Sequence, residues 1–128
     1  MKTTQKQQQN SNEITQKSYE IIIKNHPEIT ADGYGIGTPA LTASARQAQY
    51  ESSRKDLATF KDAFETSLKW LDRNPDFARN RTSYGLKHEV ERTYKGVYVP
   101  NGAFILAVLH KGLKIAEHVP NSPNVRFN

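Results

Sequence analysis

YVPNGAFILAVLHKGLKI, Tyr98 to Ile115, is the most apolar stretch of an otherwise polar and basic chain, and how it is read decides the fold. Pro100-Asn101-Gly102 turns the chain, Asn101 can cap a helix, and Gly112 closes that helix after Lys111. The element is therefore a helix of about ten residues, Gly102 to Lys111. Its interior, AFILAVL, is apolar nearly all the way round. A helix that reads base edges needs polar side chains on an exposed face, and this one has only Asn101, His110 and Lys111, at its two ends. It reads as the floor of a core. Burying Phe104, Ile105, Val108 and Leu109 contributes about 1.5–3 kcal/mol each, and the working surface lies elsewhere.

The flanking segments carry weaker patterns. TSYGLKHEVERTY, Thr82 to Tyr94, predicts an amphipathic helix with Leu86, Val90, Thr93 and Tyr94 inward. Ser83, Lys87, His88, Glu91, Arg92 and Lys95 then point outward, and Gly96 ends the helix. Val97-Tyr98-Val99 alternates as a short strand would, and so does LKIAEHV after Gly112. A turn at 120–124 returns the chain through Val125-Arg126-Phe127. Helix, strand, helix, hairpin is the order of a winged helix-turn-helix, although the link from Lys95 to Pro100 exceeds the tight turn of a simple helix-turn-helix.

Upstream, residues 1–12 are polar after Met1 and predict a disordered N-terminus. From 13 to 78 the chain reads as a helical region. Ile14, Ser18, Ile21 and Ile22 share one face of a short helix closed by Pro27, and a Gly/Pro loop follows at 26–40. Leu41 to Arg73 contains no Gly or Pro and predicts one long amphipathic helix, with Leu57, Phe60, Phe64, Leu68 and Leu71 along its apolar line. That line packs on the C-terminal module or serves as the seam of a homodimer through 41–73. The fold class is mainly α, with a compact basic module at 79–128 that is winged-helix-like in its element order.

The net charge of +5 resides entirely in the last 60 residues. Such a basic half is the electrostatic footprint of a polyanion binder. Arg79, Arg81, Lys87, Arg92 and Lys95, with Lys114 and Arg126 on the hairpin, are the expected phosphate contacts, and Tyr84 and Tyr94 the expected stacking rings. Glu89 and Glu91 on the same helix oppose a phosphate backbone and suit a protein partner as well. The four histidines lack metal-ligand spacing, and HEVER is not H-E-x-x-H, so no metal, no cofactor and no enzyme activity are expected. The chain has no cysteine, no apolar leader and no membrane-length apolar run, which fits a cytoplasmic protein.

The paired segments SYGLKH, from Ser83, and NGAFI, from Asn101, resemble a C-terminal pattern in small uncharacterised proteins of bacterial plasmids, phages and integrative elements. The resemblance spans about residues 79–128 and implies a mobile-element setting, not a mechanism. Three functions are then expected in order: a nucleic-acid-binding accessory or regulatory protein, a protein-binding inhibitor of a host nucleic-acid-handling defence complex, and a coiled-coil adaptor.

Overall fold

The computed structural model describes residues 14–128, so the expected disorder of 1–12 falls outside the described residues. The chain is mainly helical, with two small two-stranded antiparallel sheets. Helix α1 spans Gln16–Lys24, capped by Thr15, whose hydroxyl accepts the Ser18 amide at 3.0 Å. Its buried residues are Tyr19 and Ile23 rather than Ile21, which is half exposed. The inward face is rotated because the Tyr19 hydroxyl donates to the Leu57 carbonyl at 2.7 Å, a partner 38 residues away.

The Gly/Pro loop is an ordered hairpin. Strands β1 (Ile29–Thr30) and β2 (Gly33–Tyr34) pair with Ile29 opposite Tyr34 and Thr30 opposite Gly33. Gly33 has φ +132°, and a Cβ there would lie 2.4 Å from both Asn101 Nδ2 and the Pro123 carbonyl. Arg54 locks this hairpin to α1, donating to the carbonyls of Ile23 (3.1 Å), His26 (2.9 Å) and Ile29 (2.8 Å).

The expected single helix over 41–73 is two helices, α2 (Ala43–Leu57) and α3 (Lys61–Arg73), broken at Ala58–Phe60. No Gly or Pro marks the break. The carbonyls freed there find acceptor roles instead: Leu57 receives Tyr19, and Ala58 receives Gln16 Nε2 at 2.8 Å. The break lets Leu57 and Phe64 enter one core while α2 leaves it; α2 buries only Ser53 and Leu57. Helix α3 buries Ala63, Phe64, Ser67, Leu68, Trp70 and Leu71, and its contact with α5 is the most extensive in the fold. The apolar line proposed as a homodimer seam is thus consumed within the chain.

Helix α4 spans Ser83–Thr93 and α5 spans Asn101–His110. Residues Asn101 to Val108 of α5 are all buried, and Phe104 to Val108 are fully so; Leu109 is only partly covered. The opening stretch is the floor, as its composition predicts. Val97–Val99 form no strand: the Val99 amide donates to Glu91 Oε2 at 2.9 Å instead of entering a ladder. Strands β3 (Ile115–His118) and β4 (Val125–Phe127) make the C-terminal hairpin, with Ile115 opposite Phe127 and an irregularity before Glu117. One core runs from Tyr19 to Phe127 and draws residues from both sides of position 79. No described helix is long and apolar enough to cross a membrane.

Backbone closely approaches backbone at Gly102, whose amide donates to the Ala31 carbonyl at 3.3 Å. A Cβ at this position would lie 1.7 Å from the Thr30 carbonyl oxygen and 2.8 Å from its carbon. Gly102→Ala is expected to lower stability by at least about 1–3 kcal/mol, because backbone rather than a side-chain tip must move. Gly85→Ala meets only the flexible Arg81 guanidinium at 3.1 Å and gains up to about 1 kcal/mol of helix propensity. Urea-denaturation midpoints of the two variants should move in opposite directions.

Candidate functional site

The seven cations expected to meet phosphate fall into three settings. Lys87 is not on the surface: it is 5% exposed, with Nζ 3.5 Å from Glu91 Oε2. Helix α4 is rotated from the predicted face, so Ser83 and Lys87 turn inward with Leu86 and Val90, while Thr93 is exposed. Ser83 Oγ accepts the Val125 amide at 3.1 Å, which ties α4 to β4.

Arg79 and Arg126 brace the corner where the hairpin ends meet the 74–82 loop. Arg79 donates to the carbonyls of Pro75 (3.2 Å), Phe77 (2.8 Å) and Asn128 (3.2 Å), and its guanidinium sits 3.8 Å from the Phe77 ring centroid. Arg126 reaches the Asn80 carbonyl at 2.9 Å and pairs with Glu117 at 2.7 Å. Lys114 is exposed at the same corner, its carbonyl receiving the Asn128 amide.

Arg81, Arg92 and Lys95 occupy the exposed edge of α4. Arg81 and Arg92 converge on one oxygen of Glu89, at 2.8 and 2.7 Å. Hydrogen bonds from Arg92 and then Arg81 hold the Glu89 carboxyl below its ordinary range. Two guanidiniums on one carboxylate leave a net positive charge, to which exposed Lys95 adds another; Lys95 has no ion pair among the described residues.

The expected stacking ring Tyr94 is partly buried, with its hydroxyl enclosed and unpartnered, so it offers no open face. Tyr84 is 50% exposed, as a stacking ring requires, and its companion is Tyr98, 63% exposed. The alternation around Tyr98 suggests a strand, but the segment forms none and the ring is exposed. Lys87 Nζ lies 5.2 Å from the Tyr84 ring centroid and 5.0 Å from that of Tyr98. Phe60 meets Tyr98 edge-on at 5.9 Å and His88 meets Tyr84 at 4.5 Å.

These two rings face a cleft of about 930 Å3 between α2 and α4, floored by the Ala31–Thr38 loop, Asn101 and the Pro123–Asn124 turn. Helix α2 contributes Ala45, Ala48, Gln49, Ser52, Ser53 and Asp56. Asn101 knots the floor: Nδ2 donates to the Asp32 carbonyl (2.9 Å) and Asn124 Oδ1 (2.9 Å), with a longer contact to the Pro123 carbonyl (3.4 Å). Of the three buried side-chain oxygens without a hydrogen-bond partner among the described residues, two, Asn101 Oδ1 and Ser53 Oγ, belong to residues that line the cleft, and the third is the Tyr94 hydroxyl. Burial raises the Tyr98 phenol, with the Glu91 and Asp32 charges in support, so the ring stays neutral.

Glu91 organises the wall behind these rings. It accepts the Val99 amide and pairs with His88 Nδ1 (2.7 Å) and Lys87. Burial works against its carboxylate, but the Val99 amide, His88 and Lys87 outweigh that cost and hold its carboxyl below the ordinary 4.5. The histidines are dispersed, with His110 against Phe64 and His118 against Tyr34, and no group of three metal-ligating side chains occurs among the described residues.

Because the folded-state pKa of Glu91 is depressed, the unfolded chain takes up the proton first. Its contribution to stability is complete above about pH 4.5 and is lost as pH falls through the lower folded-state value. Glu91→Gln leaves the Lys87 ammonium buried without its counter-charge and is expected to cost about 2–3 kcal/mol at neutral pH, with Lys87→Met/Glu91→Leu recovering much of it. Thermal unfolding from neutrality down to about pH 3 should show a smaller acid-side loss in the double variant than in the parent. Compared with protein-family models, curated proteins and solved structures, the chain matches none of them.

Proposed function

We propose that this protein binds nucleic acid through the exposed edge of α4, with Arg81, Arg92 and Lys95 as its phosphate contacts, as a non-enzymatic accessory or regulatory protein of a mobile genetic element acting in the cytoplasm. The observation that carries this reading is the charge left over on that edge once the internal pairs are formed. Residues 79–128 hold eight lysines and arginines against three acids. Lys87 and Arg126 each spend their charge on a glutamate, and Arg79 has its donors taken by carbonyls of its own corner, although its charge is not cancelled. Arg81 and Arg92 share one carboxylate and Lys95 stands alone, so these three retain charge for a partner.

A phosphate can replace or supplement Glu89 between the two guanidiniums, since the planar fork suits either anion. Lys114, with Arg79 and Arg126, forms a second basic patch where the hairpin ends meet the 74–82 loop. The resemblance of 79–128 to proteins of plasmids, phages and integrative elements supports the mobile-element setting. The second reading, a protein-binding inhibitor of a host nucleic-acid-handling complex, is favoured by α2, a polar helix with only Ser53 and Leu57 buried and an almost fully exposed Leu41 before its start.

Fluorescence anisotropy with single-stranded DNA, duplex DNA and RNA across a salt series tests the choice. Binding is expected to weaken linearly in log K against log salt, with the slope reduced by roughly two in Arg92→Ala/Lys95→Ala. An unchanged slope removes α4 from the interface. Absence of binding to all three nucleic acids at low salt rejects the nucleic-acid reading in favour of the protein-binding one.

A further inference from the structure

We infer that the cleft between α2 and α4 is a base-binding site, taking an unpaired nucleobase of a single strand onto the rings of Tyr98 and Tyr84 while the sugar-phosphate backbone runs outside along α4. This inference rests on the nucleic-acid reading above and narrows it to single strands. The volume, about 930 Å3, lies within the roughly 300–1,000 Å3 typical of pockets for small organic groups.

The charges lining the cleft select the ligand class. Asp32 and Asp56 disfavour a phosphate within it. Lys87, beside the two rings, is paired with Glu91 and adds no net charge there. A neutral planar ring that offers both donors and acceptors is compatible with this lining. Ser52 and Asp56 of α2 are the polar groups available to its edge, Gln49 being tied to the Thr38 carbonyl and the Ala40 amide, and two exposed tyrosines supply apolar faces. Ser53 and Asn101, only 8% and 6% exposed, each keep an oxygen without a hydrogen-bond partner at this cleft.

The path out of the cleft coincides with the basic edge. Tyr84, His88 and Arg92 follow one another at i, i+4 and i+8 and so form one ridge of α4. Arg81 lies just before that helix and Lys95 just after it. A strand whose base sits at Tyr84 therefore has phosphates within reach of the edge cations. Duplex DNA keeps its bases stacked and cannot enter.

The probes are an oligothymidylate, the same backbone with abasic sites, and a blunt duplex, each titrated against the full-length chain, Tyr98→Ala, Tyr98→Phe and Arg92→Ala/Lys95→Ala. The parent is expected to bind the oligothymidylate about ten-fold more tightly than the abasic strand. Tyr98→Ala should abolish that preference and keep the salt slope, and Tyr98→Phe should retain both. Equal affinity for the thymidylate and abasic strands, or a preference that survives Tyr98→Ala, overturns the base site while leaving the α4 edge in place. A base preference that persists without any response to Arg92→Ala/Lys95→Ala keeps the base site and rejects the edge. Failure of the parent to bind any probe rejects both.

Discussion

The approach of α5 to the β1–β2 hairpin is the constraint on which the rest of the structure depends. At Gly102 the helix backbone meets the Thr30–Ala31 backbone with no room for a side chain between them. Asn101, one residue earlier, fastens the same point to Asp32 and Asn124. With its N-terminus fixed there, α5 can present apolar side chains in every direction, because α1, α3, α4 and the hairpin all pack around it. Burial of its continuous Asn101–Val108 segment supplies the main driving force for closing the chain.

The same junction creates the cleft. Asn101 and the hairpin loop belong to the core on one side and to the cleft floor on the other, so stability and site geometry share residues. Helix α4 plays a similar double part: Leu86 and Val90 anchor it to α5, Lys87 and Glu91 form its buried polar seam, and Tyr84 with Arg92 faces solvent. The buried Lys87–Glu91 pair contributes less to stability than its charges suggest, because desolvation offsets much of the attraction. What it fixes is position. Lys87 holds the two tyrosines on either side of its ammonium, and Glu91 ties the 97–99 segment that carries Tyr98.

Charge counting along the chain overstates the free basic surface. The excess in the C-terminal half is real, but four of its ten cations are engaged internally once the chain folds: Lys87 with Glu91, Lys111 with Asp72, Arg126 with Glu117 and Arg79 with carbonyls. Spacing alone cannot separate a solvated lysine from a buried one. In α4 the outward assignment of Lys87 fails because a long aliphatic stem followed by a charge can cover apolar surface as well as reach water. The stacking rings divide as well. Tyr84 and Tyr94 are the same residue type on different faces of the chain around α4, and Tyr94 is partly buried, as its inward position in the pattern predicts, while Tyr84 is half exposed.

Local pattern was sufficient for the mainly helical class, the apolar floor helix with its ends near Asn101 and Gly112, and the C-terminal hairpin, because each depends on short-range periodicity and turn chemistry. The break between α2 and α3, the ordered β1–β2 hairpin, the inward face of α1 and the cleft itself depend on partners dozens of residues away. Tyr19 with Leu57, Arg54 with Ile23 and Ile29, and Asn101 with Asp32 are the clearest cases. No window along the chain contains both members of such a pair. Tertiary packing decides which helix face turns inward, which cation keeps its charge for a partner and which tyrosine is left open, since each outcome is set by the contacts that remain after α5 has been covered.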